Sequence, residues 1–205
     1  MNSLDHVANV DQLFVKQRFA PLVNKYDISL LGPDGKSAGE PVCYVQQKRL
    51  KIREEINFFS DESQQEVVLR IKKRNMLEFH GVADVLLPDG TVIGQLRKDF
   101  GKSLLRSSWQ ILDANGELVA TAQERSMFMA VLRRIWGWIP YVGDIPFFIP
   151  FHFEINIGEN KVGDYSRPPG ITDRYVLDLS GDPERRIDRR VAMAFTIALD
   201  ALQDR

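Results

Sequence analysis

The stretch VAMAFTIALDAL, residues 191–202, decides the fold of this chain. Only two of its twelve residues are polar and four are alanine, which predicts an α-helix with no polar face. A helix that is apolar on every side must be buried on every side. The Asp-Pro pair at 182–183 is typical of a helix start, because Asp caps the first turn and Pro fits the first helical position. We therefore predict a central helix over about residues 183–203.

Four segments before this helix have the pattern of β-hairpins, in which two apolar or alternating runs flank a tight polar turn. They are ISLLGPDGKSAG (28–39), DVLLPDGTVIGQL (84–96), QILDANGELVATA (110–122) and FEINIGENKVGDY (153–165). Asp-Gly or Asn-Gly pairs mark the first three turns, and Asn160 marks a weaker fourth turn. A sheet that closes around a wholly apolar helix buries it and leaves no exposed strand edge. We predict a mostly β protein, a closed antiparallel barrel around a central apolar C-terminal α-helix.

Length and composition limit the class of protein. The 205 residues are 44% hydrophobic and 27% charged, which fits one globular domain over residues 1–205. A net charge of −1 gives no general attraction to nucleic acid, so we expect no nucleic-acid partner. Cys43 is the only cysteine and cannot form an intramolecular disulfide, and the first residues lack the pattern of a secretory signal. We expect a cytoplasmic protein.

Two long segments carry a resemblance to a known family. They are YVQQKRLKIREEINFFSDESQQEVVLRIKKRN (44–75) and VLLPDGTVIGQLRKDFGKSLLRSSWQILDANGELVATAQE (85–124). Their strands, polar turns and basic strand ends resemble the LURP-one-related and phospholipid scramblase-like branch of the Tubby C-terminal-like superfamily. The resemblance implies a barrel of about twelve strands around a central C-terminal helix.

The same resemblance implies a link to membranes. Tubby members bind phosphoinositide headgroups through basic residues, and scramblases are associated with lipid movement between leaflets. The LURP-one-related branch has no established biochemical activity. The cysteine-rich palmitoylated segment and the calcium-binding segment of animal scramblases have no counterpart in this sequence.

Basic residues cluster near the predicted ends of strands, and a closed barrel brings such ends to one rim. Convergent side chains can bind a phosphorylated headgroup, Arg through two parallel hydrogen bonds and Lys as a point charge. The alternative is that these charges are solvated on the outer face, because acidic residues such as Glu54, Glu55, Asp61 and Glu62 are close in sequence. The candidate headgroup ligands are Lys72, Lys73, Arg74, Arg97, Lys98, Lys102 and Arg106.

An aromatic and proline-rich insert at about residues 127–151 interrupts the resemblance. Trp and Tyr beside Arg is the composition of a membrane-interface anchor, in which amphipathic rings lie at the depth of the headgroups. The alternatives are a hydrophobic cap over one barrel end or a self-association surface, because large apolar patches usually mark contacts. The residues of this candidate membrane or partner loop are Arg133, Arg134, Trp136, Trp138, Tyr141, Phe147 and Phe148.

No set of catalytic residues is recognisable, so we expect a protein that is not an enzyme and has no cofactor. Gly101-Lys102-Ser103 ends like a phosphate-binding loop, but Leu96 stands where that motif needs Gly. His6, His80 and His152 are too widely separated to indicate a metal site. We favour a non-enzymatic barrel that binds anionic phospholipid, peripheral at the inner face of the membrane. The alternatives are a soluble protein-interaction scaffold, with the aromatic loop as a cap or dimer contact, and a scramblase-like activity.

Overall fold

The computed structural model describes residues 4–20, 23–48, 55–74, 81–99, 108–125, 152–167 and 174–201. These residues form a short 3-10 helix (Asp5–Asn9), twelve β-strands and the α-helix α1 (Arg189–Ala201). The strands are β1 (Gln12–Ala20), β2 (Val23–Leu31), β3 (Ala38–Lys48), β4 (Glu55–Phe59), β5 (Val67–Lys73), β6 (Val82–Leu86), β7 (Val92–Asp99), β8 (Ser108–Leu112), β9 (Leu118–Glu124), β10 (His152–Ile157), β11 (Asn160–Ser166) and β12 (Arg174–Asp178).

The twelve strands form one closed antiparallel barrel. Each strand pairs with its neighbours in the chain, and β12 returns to pair with β1, from Gln12 opposite Asp178 to Lys16 opposite Arg174. Closure therefore satisfies the backbone groups that an open sheet would leave on its two edge strands. The closed barrel and its strand number confirm the prediction from the sequence.

The barrel has two ends that differ in their connections. At the lower end, short turns join the strands at residues 32–37, 60–66, 87–91, 113–117 and 158–159. At the upper end, where β1, β3, β5, β7, β9 and β11 finish, most of the connecting residues lie outside the described part of the chain. Gly35, Gly90 and Gly116 have positive φ in the first, third and fourth turns, as the Asp-Gly and Asn-Gly signals predict.

The fourth predicted hairpin turns two residues earlier than expected. Gly158 has a φ of +61° and Asn160 is already the first residue of β11. The prediction that Asn160 marks this turn is therefore wrong, because the glycine accepts the left-handed conformation that the turn requires more readily than any other residue.

Helix α1 lies inside the barrel and forms its core. Every residue from Val191 to Leu199 is buried, together with the inward side chains of the strands. Phe195 packs edge-on against Trp109 of β8 and Phe153 of β10, with ring centroids 6.2 and 6.5 Å away. Leu4, which precedes the 3-10 helix, and Val7 within it join the same core near the start of α1. The buried central helix confirms the prediction. Among the described residues, no helix is long and apolar enough to span a membrane.

The helix begins later than the sequence predicts. It starts at Arg189, and the Asp188 carboxylate accepts a hydrogen bond from the Arg190 amide at 2.8 Å, as an N-cap does. The predicted start at Asp182-Pro183 is wrong because Asp182 is used elsewhere. Its carboxylate accepts hydrogen bonds from the Arg186 and Ile187 amides and from the Arg189 guanidinium. The predicted helix end near residue 203 lies outside the described residues.

Close approach of the helix to the barrel wall depends on Gly94. A Cβ at this position would lie 2.6 Å from Cγ2 of Val191 and 3.0 Å from the carbonyl oxygen of Leu112. We expect Gly94→Val to lower the free energy of unfolding by about 1–3 kcal/mol, the usual cost of overpacking. Urea unfolding would measure this loss.

A second substitution tests whether the clash with helix α1 causes the loss of stability expected for Gly94→Val. Gly94→Val combined with Val191→Ala should be more stable than the sum of the two single effects, because the smaller side chain makes room for the added methyl groups. Additive losses would mean that Gly94 does not set the distance between β7 and α1.

Candidate functional site

Five of the seven candidate headgroup ligands lie at the upper end of the barrel. Strands β5 and β7 are separated only by β6, and both finish at this end. The five residues are Lys72, Lys73, Arg74, Arg97 and Lys98. Lys102 and Arg106 lie outside the described residues. So do all seven candidates of the aromatic insert, Arg133, Arg134, Trp136, Trp138, Tyr141, Phe147 and Phe148.

The strand register divides these five basic residues between the two faces of the barrel wall. Lys73 is directly opposite the buried Ala83, and Lys98 is directly opposite the buried Trp109. Residues that pair directly across antiparallel strands share a face, so both lysines lie on the inner face near the rim. Their side chains are half-buried there. Lys72 and Arg97 take the alternate positions and lie on the outer face.

Outer-face members of the cluster already have polar or acidic neighbours. Arg74 contacts both carboxylate oxygens of Asp84, at 2.7 and 2.8 Å, and the hydrogen bond raises the pKa of the guanidinium. Arg97 donates a hydrogen bond to Oε1 of Gln110 at 2.7 Å. Lys72 stands directly opposite Glu55 on one side and Asp84 on the other. This face matches the alternative in which the charges belong to a solvated surface.

The inner face changes from apolar to polar as it approaches the upper end. On β3, for example, Cys43 and Val45 belong to the apolar core and the next inward residue is Gln47. On β9, Ala120 and Ala122 are followed by Glu124. We call the polar residues at this level the upper ring; they are Gln17, Asn24, Gln47, Lys73, Lys98, Glu124 and Arg167.

Two members of the upper ring have notable surroundings. Gln47 is 4% exposed, and neither polar atom of its amide has a hydrogen-bond partner among the described residues. Buried amides are rarely left without hydrogen-bond partners, so the Gln47 amide marks a polar position inside the upper end of the barrel. Arg167 lies over the ring of Tyr175 at 5.0 Å and donates a hydrogen bond to its hydroxyl. Three cations and one carboxylate give the ring a positive balance.

The sequence contained a signal for the inward lysines. Leu69 and Ile71 alternate with the polar residues Arg70 and Lys72, so Lys73 continues the apolar face of β5. Grouping Lys72, Lys73 and Arg74 as one cluster overlooks that period of two. The remaining members of the upper ring are spread over several strands and become neighbours only when the barrel closes.

Comparison with known families agrees with this architecture. A family model described as LURP-one-related matches residues 42–200, which is most of the chain. No curated protein and no solved structure matches the chain. The matched region begins in β3 and includes both strands of the basic cluster and all but the last described residue of α1. The chain belongs to the LURP-one-related family.

Proposed function

We propose that this chain is a non-enzymatic, cytoplasmic protein that binds anionic phospholipid headgroups with the upper end of its barrel, peripheral at the inner face of a membrane. The observation that carries the proposal is the position of Lys73 and Lys98. Both lie at the inner rim of one barrel end, two strands apart. Neighbouring strands are about 4.8 Å apart, and Lys98 is two residues beyond Leu96, which is level with Lys73. The two Cα atoms are therefore about 12 Å apart, and the long side chains can reach one phosphate.

Charge is distributed unevenly between the two barrel ends, which favours this orientation. The described turns of the lower end contain one basic residue, Lys36, and eight acidic residues: Asp34, Asp61, Glu62, Glu66, Asp89, Asp113, Glu117 and Glu159. Of these, Glu62 forms ion pairs with Arg18 and Lys25. An anionic membrane surface therefore repels the lower end and attracts the upper end. The overall net charge of −1 hides this asymmetry.

The aromatic insert supports the same orientation by its point of attachment. It connects β9 to β10, and Glu124 and His152, the last and first residues of these strands, are both at the upper end. Its Trp and Tyr residues next to Arg133 and Arg134 have the composition of an interfacial anchor. The proposal does not extend to lipid scrambling, because α1 fills the barrel interior that a lipid path would need.

Co-sedimentation with vesicles tests the proposal. Wild-type protein should bind vesicles of phosphatidylcholine with phosphatidylserine and not vesicles of phosphatidylcholine alone. Each basic residue near an anionic surface contributes about 1 kcal/mol. Lys73→Gln with Lys98→Gln should therefore weaken binding by about 2 kcal/mol, or about 30-fold.

Lys36→Gln with Arg186→Gln is the matched control, because it removes two exposed charges away from the upper end. It should bind like wild type. Equal binding by both double variants, or no binding of wild type to anionic vesicles, contradicts the proposal. A Trp136→Ala and Trp138→Ala variant that still binds fully would instead assign the insert to a cap or a dimer contact.

A further inference from the structure

His152, Glu154 and Asp164 form a compact cluster on the outer face of the barrel wall, at the upper end of β10 and β11. One potential ligand atom of each residue lies within 4.8 Å of the others. His152 and Glu154 are two residues apart on β10 and share its outer face, whereas Phe153 and Ile155 between and after them are buried. Asp164 of β11 is directly opposite Glu154, and its Oδ1 is 2.6 Å from Nε2 of His152.

A β-bulge brings the third member into the cluster. Ile157 pairs with Asn160 and Asn156 with Lys161, but the register shifts by one residue before Ile155. Without this shift Asp164 would share the face of Phe153 and point to the core. Gly163 lies beside the bulge, and the close approach of β12 requires glycine there, because a Cβ would collide with the carbonyl oxygen of Asp178. Bulges often re-aim a side chain at a functional position.

The carboxylates of the cluster face one another, and the cations beside them are exposed side chains that can move away. Asp178 of β12 is directly opposite Asp164, so three carboxylates occupy facing positions on successive strands, and facing like charges are unfavourable. Lys161 Nζ lies 2.6 Å from Asp164 Oδ2, and Arg125 Nε lies 3.5 Å from Glu154 Oε1. These two cations are 48% and 64% exposed, and such surface pairs contribute little, so both can move into solvent.

We propose that His152, Glu154 and Asp164 bind a divalent transition-metal ion, with Zn²⁺ as the representative. One imidazole nitrogen and two carboxylate oxygens are ligands that Zn²⁺ accepts, and three protein ligands leave a position for water. The imidazole favours Zn²⁺ over Mg²⁺ and Ca²⁺, which prefer oxygen ligands throughout. The bound ion would link β10 to β11 at the point where the chain re-enters the barrel after the aromatic insert. The site lies on the outer face of the wall, whereas the proposed headgroup ligands Lys73 and Lys98 lie on the inner face.

Isothermal titration calorimetry of the untagged protein with Zn²⁺ tests the proposal. Wild type should bind one ion, and Mg²⁺ should bind at least tenfold more weakly. His152→Gln and Asp164→Asn should each weaken Zn²⁺ binding at least tenfold while their circular dichroism and unfolding without metal stay close to wild type. Lys161→Gln should tighten binding several-fold, because its ammonium group competes with the ion for Asp164.

His6→Gln and Glu159→Gln are the controls, since they remove an exposed histidine and an exposed carboxylate outside the cluster. Both should bind Zn²⁺ like wild type. Zn²⁺ should also raise the unfolding temperature of wild type and not that of His152→Gln, because a ligand stabilises the state that binds it. Unchanged Zn²⁺ affinity in His152→Gln and Asp164→Asn, or equal affinity of wild type for Mg²⁺ and Zn²⁺, overturns the proposal.

Discussion

Arg189→Met should lower the free energy of unfolding by about 3–5 kcal/mol, the cost of removing one partner from a buried ion pair. Arg189 is 2% exposed, and its Nη1 donates to Oδ2 of the equally buried Asp182 at 2.7 Å. Nη2 donates to Oδ1 of Asp11 and to the carbonyl oxygen of Asp182, both at 2.8 Å. The substitution leaves the Asp182 carboxylate buried without its cation. It also removes the hydrogen bonds that connect the first turn of α1 to Asp11, which precedes β1, and to Asp182, which follows β12.

Urea unfolding at neutral pH measures this loss, and Arg186→Met is the control. Arg186 is an exposed cation three residues earlier, so its loss should change stability by less than about 0.5 kcal/mol. Asp182→Asn combined with Arg189→Met should cost less than the sum of the two single substitutions, because each already removes their shared contact. A loss below about 1 kcal/mol for Arg189→Met would show that the network does not hold the helix start.

The same network predicts a dependence on pH. Burial raises the pKa of Asp182, but hydrogen bonds from the Ile187 amide, the Arg189 guanidinium and the Arg186 amide outweigh it, so the pKa lies below its ordinary value. A lowered pKa in the folded state contributes stability that is present above the unfolded-state value and is lost as the pH falls through the folded-state value. Wild type should therefore lose stability on acidification, and Asp182→Asn should lose less between neutral pH and about pH 3.

Elements set by local periodicity were predictable from the sequence, and those set by distant contacts were not. The uniform apolarity of residues 191–199 and the Asp-Gly and Asn-Gly turns depend on neighbouring residues alone, so the barrel and its central helix followed from them. The helix start did not. Asp182 has the local sequence of an N-cap, but its competing partner Arg189 is fixed in turn by Asp11, which is 178 residues away in the chain.

The candidate sites show the same division. The position of Lys73 and Lys98 at one barrel end followed from the hairpin order, and the alternation of β5 contained the inward direction of Lys73. The cluster of His152, Glu154 and Asp164 did not follow from the sequence. Its register depends on a bulge of one residue, and a slip of one residue moves a side chain to the opposite face. Counting from the turn alone places Asp164 opposite Phe153 and outside any cluster.

Phe195→Ala should lower the free energy of unfolding by about 3–5 kcal/mol, because it removes a large side chain from the centre of the core and leaves a cavity. Phe195 is completely buried, and its ring meets Trp109 of β8 and Phe153 of β10, two strands separated only by β9, in edge-on geometry. Those aromatic contacts add to the loss of buried apolar area. Phe195→Leu should cost less, since it keeps part of the volume.

Leu118→Ala is the control for this substitution in urea unfolding. Leu118 is 57% exposed at the start of β9, so its truncation should change stability by less than about 0.5 kcal/mol. If Phe195→Ala were as mild as Leu118→Ala, α1 could not be the core around which the barrel closes. The loss expected for Phe195 is a large share of the roughly 5–15 kcal/mol that stabilises a typical domain, so the variant should unfold at markedly lower urea concentration. The barrel depends on its helix because, in the described part of the chain, α1 supplies most of the apolar side chains that the inner faces of the strands enclose.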